Sequence, residues 1–159
     1  MRMRRIGRGR SPNGDDRMSA VDYPQVGQGW AFPPRWDVLP DRDGAGPTVL
    51  ATTAGAEHVQ EALVIILRTL IGSRVMRPRF GAGVDRYVFE PRTAEVCYRL
   101  ADDVRRALVV GEPRVIIDSV TAVPAGTADE RIDVSIEYRI DRHRRPESLV
   151  VPFFMAGES

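Results

Sequence analysis

A regular pattern of apolar residues in the stretch from Ala56 to Phe89 predicts the first core helix. Thr52 or Thr53 is expected as the N-cap of this helix, and Gly72 is expected as its C-terminal cap. One face follows the i, i+4, i+7, i+8 spacing of a buried helix face and carries Val59, Leu63, Ile66, Leu67 and Leu70.

A second helix is predicted from Ala94 to Val110, with Thr93 as its N-cap and Gly111 as its end. Its apolar stripe consists of Cys97, Ala101, Val104 and Leu108. The segment between the helices contains Pro78, Gly81 and Gly83, which predict a backbone-constrained corner. The spacing of Val84, Tyr87 and Val88 predicts a short helical turn after that corner.

The last third of the chain has the patterns of three strands. Residues 115–123 are β-branched and apolar on both faces, which favours a central strand. Apolar and polar residues alternate from Arg131 to Ile140, which predicts a strand with one buried face. Pro152 interrupts the last apolar run, Ser148 to Met155, and therefore predicts an edge position. The connections are expected at 124–130 and 141–147.

These elements predict a single domain of the α+β class. Two main helices would pack on an antiparallel or mixed sheet built on the C-terminal three-stranded meander, with a further short strand at 48–51. We expect a disordered Arg-rich arm at 1–28, the folded domain at 29–155 and a flexible tail at 156–159. Trp30 and Phe32 are expected to cover an edge of the core.

Composition and charge exclude several classes of protein. All 23 basic residues are arginine, and residues 1–17 carry a net charge of +4, from six arginines and two aspartates. The remaining residues carry −3, from 17 basic and 20 acidic side chains, which argues against nucleic-acid binding. The longest apolar run, Ala62 to Leu67, is too short to span a membrane. A lone Cys97 with two histidines favours a reducing, cytoplasmic setting, without disulfide or zinc site.

The strongest case for an enzyme is a carboxylate pair of the kind that hydrolyses glycosides. The candidates each have a simpler structural explanation in a helix start, a turn or a local ion pair; they are Glu57, Glu61, Glu90 and Glu112. No dinucleotide fingerprint or phosphate-cradling loop is present in the sequence. We therefore expect no catalytic residue, no cofactor and no metal.

Several motifs occur together in a fixed order. Residues 29–33 have the sequence GWAFP, residues 72–81 GSRVMRPRFG, residues 89–91 FEP and residues 112–115 EPRV. In this order and spacing they resemble the gene-25-like (W-like) baseplate wedge family of contractile tails, which includes the TssE component of type VI secretion systems. The resemblance covers about residues 29–153. The name of the family's domain still contains the word lysozyme.

The resemblance implies a non-enzymatic structural protein in the baseplate of a contractile phage tail, a type VI apparatus or an extracellular injection particle. It would contact other wedge proteins and sheath subunits, and would template the first sheath ring. Multiple copies are expected in a six-fold symmetric baseplate, assembled in the cytoplasm and then carried in the particle. A muramidase-type hydrolase and a regulatory adaptor on the same fold are the alternatives.

The Glu-Pro-Arg triplet is the hallmark of the family, and here it is Glu112, Pro113 and Arg114. Because Pro113 fixes φ, the two charges are held with reduced freedom, which suits docking; an internal ion pair is the alternative. The further residues expected to bind partners are Arg74, Arg77, Phe80 and Gly81.

Two positions depart from the family's pattern. Gly111 stands where an aromatic residue is frequent, and Arg79 stands where an acidic residue is common. The exposed face of residues 131–139, with the strand edge near Pro152, is expected as a second docking surface or as plain solvent-exposed surface.

Overall fold

The computed structural model describes residues 23–39, 46–125, 131–140 and 146–154. Two helices and a three-stranded sheet form the core, and two short strand pairs precede them. The elements in chain order are β1 (Gln28–Trp30), β2 (Trp36–Val38), β3 (Thr48–Leu50), β4 (Thr52–Ala54), α1 (Gly55–Arg68), a 3-10 helix (Val84–Tyr87), α2 (Ala94–Gly111), β5 (Ile116–Ala125), β6 (Arg131–Arg139) and β7 (Glu147–Phe154).

The predicted α+β fold is confirmed, and the C-terminal sheet is an antiparallel meander in the order β5-β6-β7. Strand β6 lies in the middle, and its predicted inward face is fully buried at Ile132, Val134, Ile136 and Tyr138. The prediction that residues 115–123 form the central strand is wrong, because β5 pairs only with β6 in the described sheet. Strand β7 is an edge strand, as Pro152 indicated.

Helices α1 and α2 cover the inner face of this sheet. The predicted stripe of α2 is buried at Cys97, Val104 and Leu108, and Val96 and Leu100 widen it. Residues of both helices and of all three strands belong to one hydrophobic cluster. Burying a single side chain of this size contributes about 1.5–3 kcal/mol, so this shared core holds the helices on the sheet.

The predicted ends of α1 are wrong. Its N-cap is Ala54, whose methyl side chain cannot accept a hydrogen bond, and the Thr53 hydroxyl donates to Glu61 at 2.5 Å. The helix ends at Arg68, so Gly72 lies beyond its C-cap, Thr69. Leu70, predicted on the buried face, is 53% exposed in the segment after the helix.

The start of α2 and the short turn before it agree with the sequence. The Thr93 hydroxyl accepts a hydrogen bond from the Val96 amide at 3.3 Å, which satisfies one of the free amides of the first turn. The 3-10 helix Val84–Tyr87 ends four residues before Pro91.

The N-terminal segment forms two strand pairs, β1 with β4 and β2 with β3. Trp30 is 75% exposed on β1, so the prediction that it covers the core is wrong. Tyr23 and Val26, which precede the predicted domain start, are buried in the core. The Tyr23 hydroxyl donates to Glu147 at 3.2 Å and so joins this segment to β7.

Parts of the predicted arm, hairpin connections and tail lie outside the described residues; these are 1–22, 126–130, 141–145 and 155–159.

Candidate functional site

The segment after α1, residues 69–83, is a compact loop that we call the arginine corner. The amide of Gly72 donates to the carbonyl of Pro78 at 2.9 Å, and the Phe80 amide donates to the carbonyl of Arg77 at 3.0 Å. The guanidinium of Arg74 lies over the Phe80 ring, 4.2 Å from its centroid. Such cation–π contacts contribute about 0.5–1 kcal/mol at exposed sites, so the corner is held by both backbone and side-chain contacts.

Gly81 fixes the corner against the end of α1. Its φ is +124°, a backbone conformation that residues other than glycine rarely adopt. A Cβ at this position would lie 2.2 Å from the carbonyl oxygen of Thr69. The close passage of the two backbone segments therefore requires glycine.

A groove of about 630 Å³ separates the arginine corner from the C-terminal half of α2. Its walls are mainly apolar, with four arginines and one aspartate around them. Ile71, Phe80, Ala107 and Val110 supply apolar surface, and Arg77, Arg79, Arg86, Arg106 and Asp103 supply the charges.

Asp103 is held by three neighbours on one side of the groove. Its carboxylate accepts from the Tyr87 hydroxyl at 2.6 Å, from Arg86 Nη2 at 2.9 Å, and from Arg106. Burial works against the charged carboxylate, but these hydrogen bonds and cations hold the pKa of Asp103 below its ordinary value. Burial, together with the bond to Asp103, raises the pKa of Tyr87 to about 12.

Arg77 and Arg79 form no ion pair within the part of the chain that the structure describes. Both residues line the groove. Arg86 and Arg106, in contrast, are engaged by Asp103. The corner side of the groove therefore carries the two cations that are available for a ligand.

The Glu-Pro-Arg triplet forms an ion pair within the chain at the end of α2. Arg114 donates from Nε to Glu112 Oε1 at 2.6 Å and from Nη2 to Oε2 at 2.5 Å. Its Nη1 donates to the Val26 carbonyl at 3.0 Å. Glu112 is only 4% exposed, whereas Pro113 is exposed. The hydrogen bond to Glu112 raises the pKa of Arg114 against the opposing effect of burial. The internal ion pair is thus present, and partner binding by the triplet stays a prediction.

Gly111 has a packing reason of its own. A Cβ at this position would lie 2.8 Å from Ile66 Cδ1 and 3.1 Å from Ile66 Cγ1. The side chain of Ile66 therefore occupies the space into which a larger residue at position 111 would project.

The structure brings only some of the predicted site residues together. Arg77, Phe80 and Gly81 line the groove, and Arg74 supports Phe80 from beside it. Arg114 is directed instead to Glu112 and Val26.

Sequence reasoning missed the wall of the groove that α2 provides. Its members follow i, i+3, i+4, i+7 spacing and are Asp103, Arg106, Ala107 and Val110. The signal in the sequence was Val110, an apolar residue outside the predicted core stripe. In the structure its side chain is 83% exposed.

The carboxylates considered for catalysis lie apart from one another, and each of the following three accepts hydrogen bonds from another side chain. Glu61 accepts from Thr53, Glu90 accepts from Arg99, and Glu112 is bound by Arg114. Among the described residues, Asp103 is the one carboxylate that lines the groove. Two carboxyl groups facing each other across this groove, as glycoside hydrolysis requires, are therefore not found in the described part of the chain.

Residues 53–145 match the family described as baseplate wedge protein gp25, which is more than half of the chain. The chain belongs to this baseplate wedge family. This confirms the resemblance that the motifs indicated.

Two related proteins extend this result, and a third chain shares the fold. Baseplate protein W of Escherichia phage P2 is 32% identical over 101 residues, which cover 64% of this chain and 86% of that protein. A crystal structure from Geobacter sulfurreducens, provisionally named a tail lysozyme, is 37% identical with a TM-score of 0.58 and covers 65% of this chain and 93% of its own. A chain of the anti-feeding prophage baseplate shares the fold at 24% identity and a TM-score of 0.56, over 86% of this chain and 91% of its own.

Within the ranges that the structure describes, neither helix of this wedge-family chain combines the length and apolarity needed to cross a membrane. The same ranges contain no group of three or more potential metal-binding side chains.

Proposed function

We propose that this chain is a non-enzymatic structural component of the baseplate wedge in a contractile injection machine. The machine is a phage tail, a type VI apparatus or an extracellular injection particle. The observation that carries this proposal is the groove of a baseplate-family protein. Among the residues that the structure describes, its lining has apolar walls, two arginines without an ion pair and a single carboxylate. Such a surface is suited to binding another protein.

The docking surface comprises the arginine corner and the neighbouring Glu-Pro-Arg triplet. Arg77, Phe80 and Gly81 present the groove, and Arg74 supports it. Pro113 and the one third of the Arg114 side chain that remains exposed provide contact surface at the triplet, while buried Glu112 holds Arg114 in place. These residues would contact other wedge proteins in a six-fold symmetric baseplate that assembles in the cytoplasm and is carried in the particle.

Sheath subunits are proposed to bind at β7 and on the outer face of the sheet. Four charged residues of this face are paired with each other, because Arg139 binds Asp118 at 2.6 and 2.8 Å and Arg131 binds Asp133 at 3.1 Å. The exposed apolar residues of the face are Val123, Val150 and Phe154. The outer edge of β7 pairs with no described strand. An extended segment of a sheath subunit could therefore add to this edge and start the first sheath ring.

A hydrolase is the second candidate, because the relative from Geobacter sulfurreducens carries the name tail lysozyme. Incubation of the purified full chain with peptidoglycan separates the two functions. We expect no turnover. Sustained hydrolysis by the wild type that is lost in Glu90→Gln would overturn the structural role.

The structural role itself is tested by particle composition. Particles purified from a strain that expresses a tagged copy should contain the chain at a fixed ratio to other baseplate proteins, measured by quantitative mass spectrometry. Absence of the chain from complete particles would contradict the proposal.

A further inference from the structure

We propose that the groove between the arginine corner and α2 binds an acidic amphipathic helix of a partner wedge protein. This rests on the proposed structural function and names the chemistry of the partner at this site. The inference follows from the apolar surface, the shape, the charge and the rigidity of the groove.

The apolar surface of the groove is left open in the described chain. Val110 is 83% exposed and Ile71 is 49% exposed, although both are large aliphatic residues. Phe80 also lines the groove and is half-buried, with the Arg74 guanidinium over its ring. Covering such surface with apolar side chains stabilises a complex by roughly 25 cal/mol per Å² before the costs of association. The occupant must therefore present apolar side chains.

The shape of the groove favours a helix as the occupant. One wall is a single face of α2 from Asp103 to Val110, which spans about 10 Å at 1.5 Å per residue. Ala107, in the middle of this wall, keeps the helix surface low. An amphipathic helix can lie along such a wall with its apolar residues one turn apart.

The charge of the groove selects an acidic partner. Four arginines and one aspartate give its lining a formal net charge of +3. Arg86 and Arg106 are engaged by Asp103, whereas Arg77 and Arg79 have no ion-pair partner among the described residues. Guanidinium groups match carboxylates as hydrogen-bond partners. Glu or Asp residues beside the apolar stripe of the partner helix would therefore bind Arg77 and Arg79.

Rigidity lets the groove exist before the partner arrives. The Gly72–Pro78 hydrogen bond and the close passage of Gly81 past Thr69 fix the loop that forms the second wall. Less conformational entropy is then lost on binding, which favours affinity.

The test uses the purified full chain and three fluorescent synthetic peptides of about 18 residues, or five helical turns. The first peptide has a Leu stripe flanked by Glu, the second has Lys in place of Glu, and the third is a scrambled Glu/Leu sequence without a stripe. Fluorescence anisotropy should show binding of the first peptide only. Binding should weaken as salt rises from about 0.1 M to about 1 M, because the Debye length falls from about 10 Å to about 3 Å.

Variants locate the binding site on the chain. The double substitution Arg77→Glu with Arg79→Glu, and separately Val110→Asp, should each weaken binding of the Glu/Leu peptide by about tenfold or more. Arg105→Glu is the matched control, since Arg105 is exposed on α2 but does not line the groove. This control should bind as the wild type does.

Other outcomes overturn the inference. Equal binding of the Lys peptide or the scrambled peptide would exclude a site for an acidic amphipathic helix. Displacement of the peptide by inorganic tripolyphosphate at equal charge concentration would indicate a simple anion site. Concentration-dependent dimerisation lost in Val110→Asp would indicate a second copy as the occupant. If the groove variants enter particles in the same amount as the wild type, this inference fails but the structural function stands.

Discussion

The guanidinium of Arg114 binds both carboxylate oxygens of Glu112, two residues away, and its third nitrogen donates to the carbonyl of Val26. One side chain thus joins the end of α2, the start of the sheet and the N-terminal segment. Pro113 lies between the two charged residues and restricts the backbone of the turn that brings them together. The hallmark triplet is therefore a structural brace as well as a proposed contact.

Replacing Arg114 with Ala should destabilise the isolated chain by about 3 kcal/mol, because it leaves the Glu112 carboxylate buried without a partner. This lies at the lower end of the range for a broken buried pair, since the Arg114 side chain is 33% exposed. Urea unfolding followed by circular dichroism measures the change. Arg99→Ala, which breaks the more exposed pair with Glu90, should cost only about 0–1 kcal/mol. Equal effects of the two substitutions would show that Arg114 is not a brace.

Replacing Gly81 with Ala should destabilise the arginine corner by about 3 kcal/mol, from left-handed strain and a clash with the Thr69 carbonyl. Gly72→Ala is the matched control, because Gly72 also has positive φ but has open space around it. It should cost only about 1–2 kcal/mol. Thermal unfolding of both variants measures the difference, and a smaller effect at position 81 would refute the close passage.

The stability contributed by Asp103 should depend on pH. Its pKa is lower in the folded chain than its ordinary value of 3.8, so its contribution is present above that value and is lost as the pH falls through the folded pKa. Asp103→Asn should therefore be less stable than the wild type near neutral pH, and the difference should vanish in acid. Chemical unfolding at a series of pH values measures this. A difference that persists unchanged below both pKa values would contradict the assignment.

Much of the core was predictable because it depends on local pattern. The alternation along β6 places its apolar residues on one buried face, and the Thr93 cap satisfies a free amide three residues away. Both features are set by neighbouring residues in the sequence. The order of the strands was not predictable in the same way, because the apolar residues of β5 face α2 on one side and partly exposed surface on the other. A central strand and an edge strand with apolar residues on both faces give the same sequence pattern.

The errors at the ends of α1 have a common cause in competing contacts. The sequence favoured Thr53 as a helix cap, but its hydroxyl donates to Glu61. Leu70 continues the helical spacing, but the helix ends at Arg68 and Leu70 is carried into the arginine corner. The sequence predicted only the wall of the groove that the arginine corner forms. The second wall was missed because the position of α2 beside the corner depends on tertiary packing.

A charge on the outer face of β7 should separate folding from assembly. Val150→Lys changes an exposed side chain, so the free energy of unfolding should change by no more than about 0.5 kcal/mol. Sheath attachment should fall, because the lysine would have to be desolvated where a sheath segment is proposed to bind. Sedimentation of sheath with baseplates measures attachment, with Tyr98→Lys, an exposed site on α2, as the control. Normal attachment in Val150→Lys would exclude this face.

The most direct test of the structural role is electron microscopy of particles from a strain that lacks this chain, complemented with defined variants. We expect no sheathed particles without the chain. We expect normal numbers with the triple variant Glu57→Gln, Glu61→Gln, Glu90→Gln, which removes the accessible candidate catalytic carboxylates. Sheathed particles formed without the chain, or lost in a folded triple variant, would contradict a structural, non-enzymatic role.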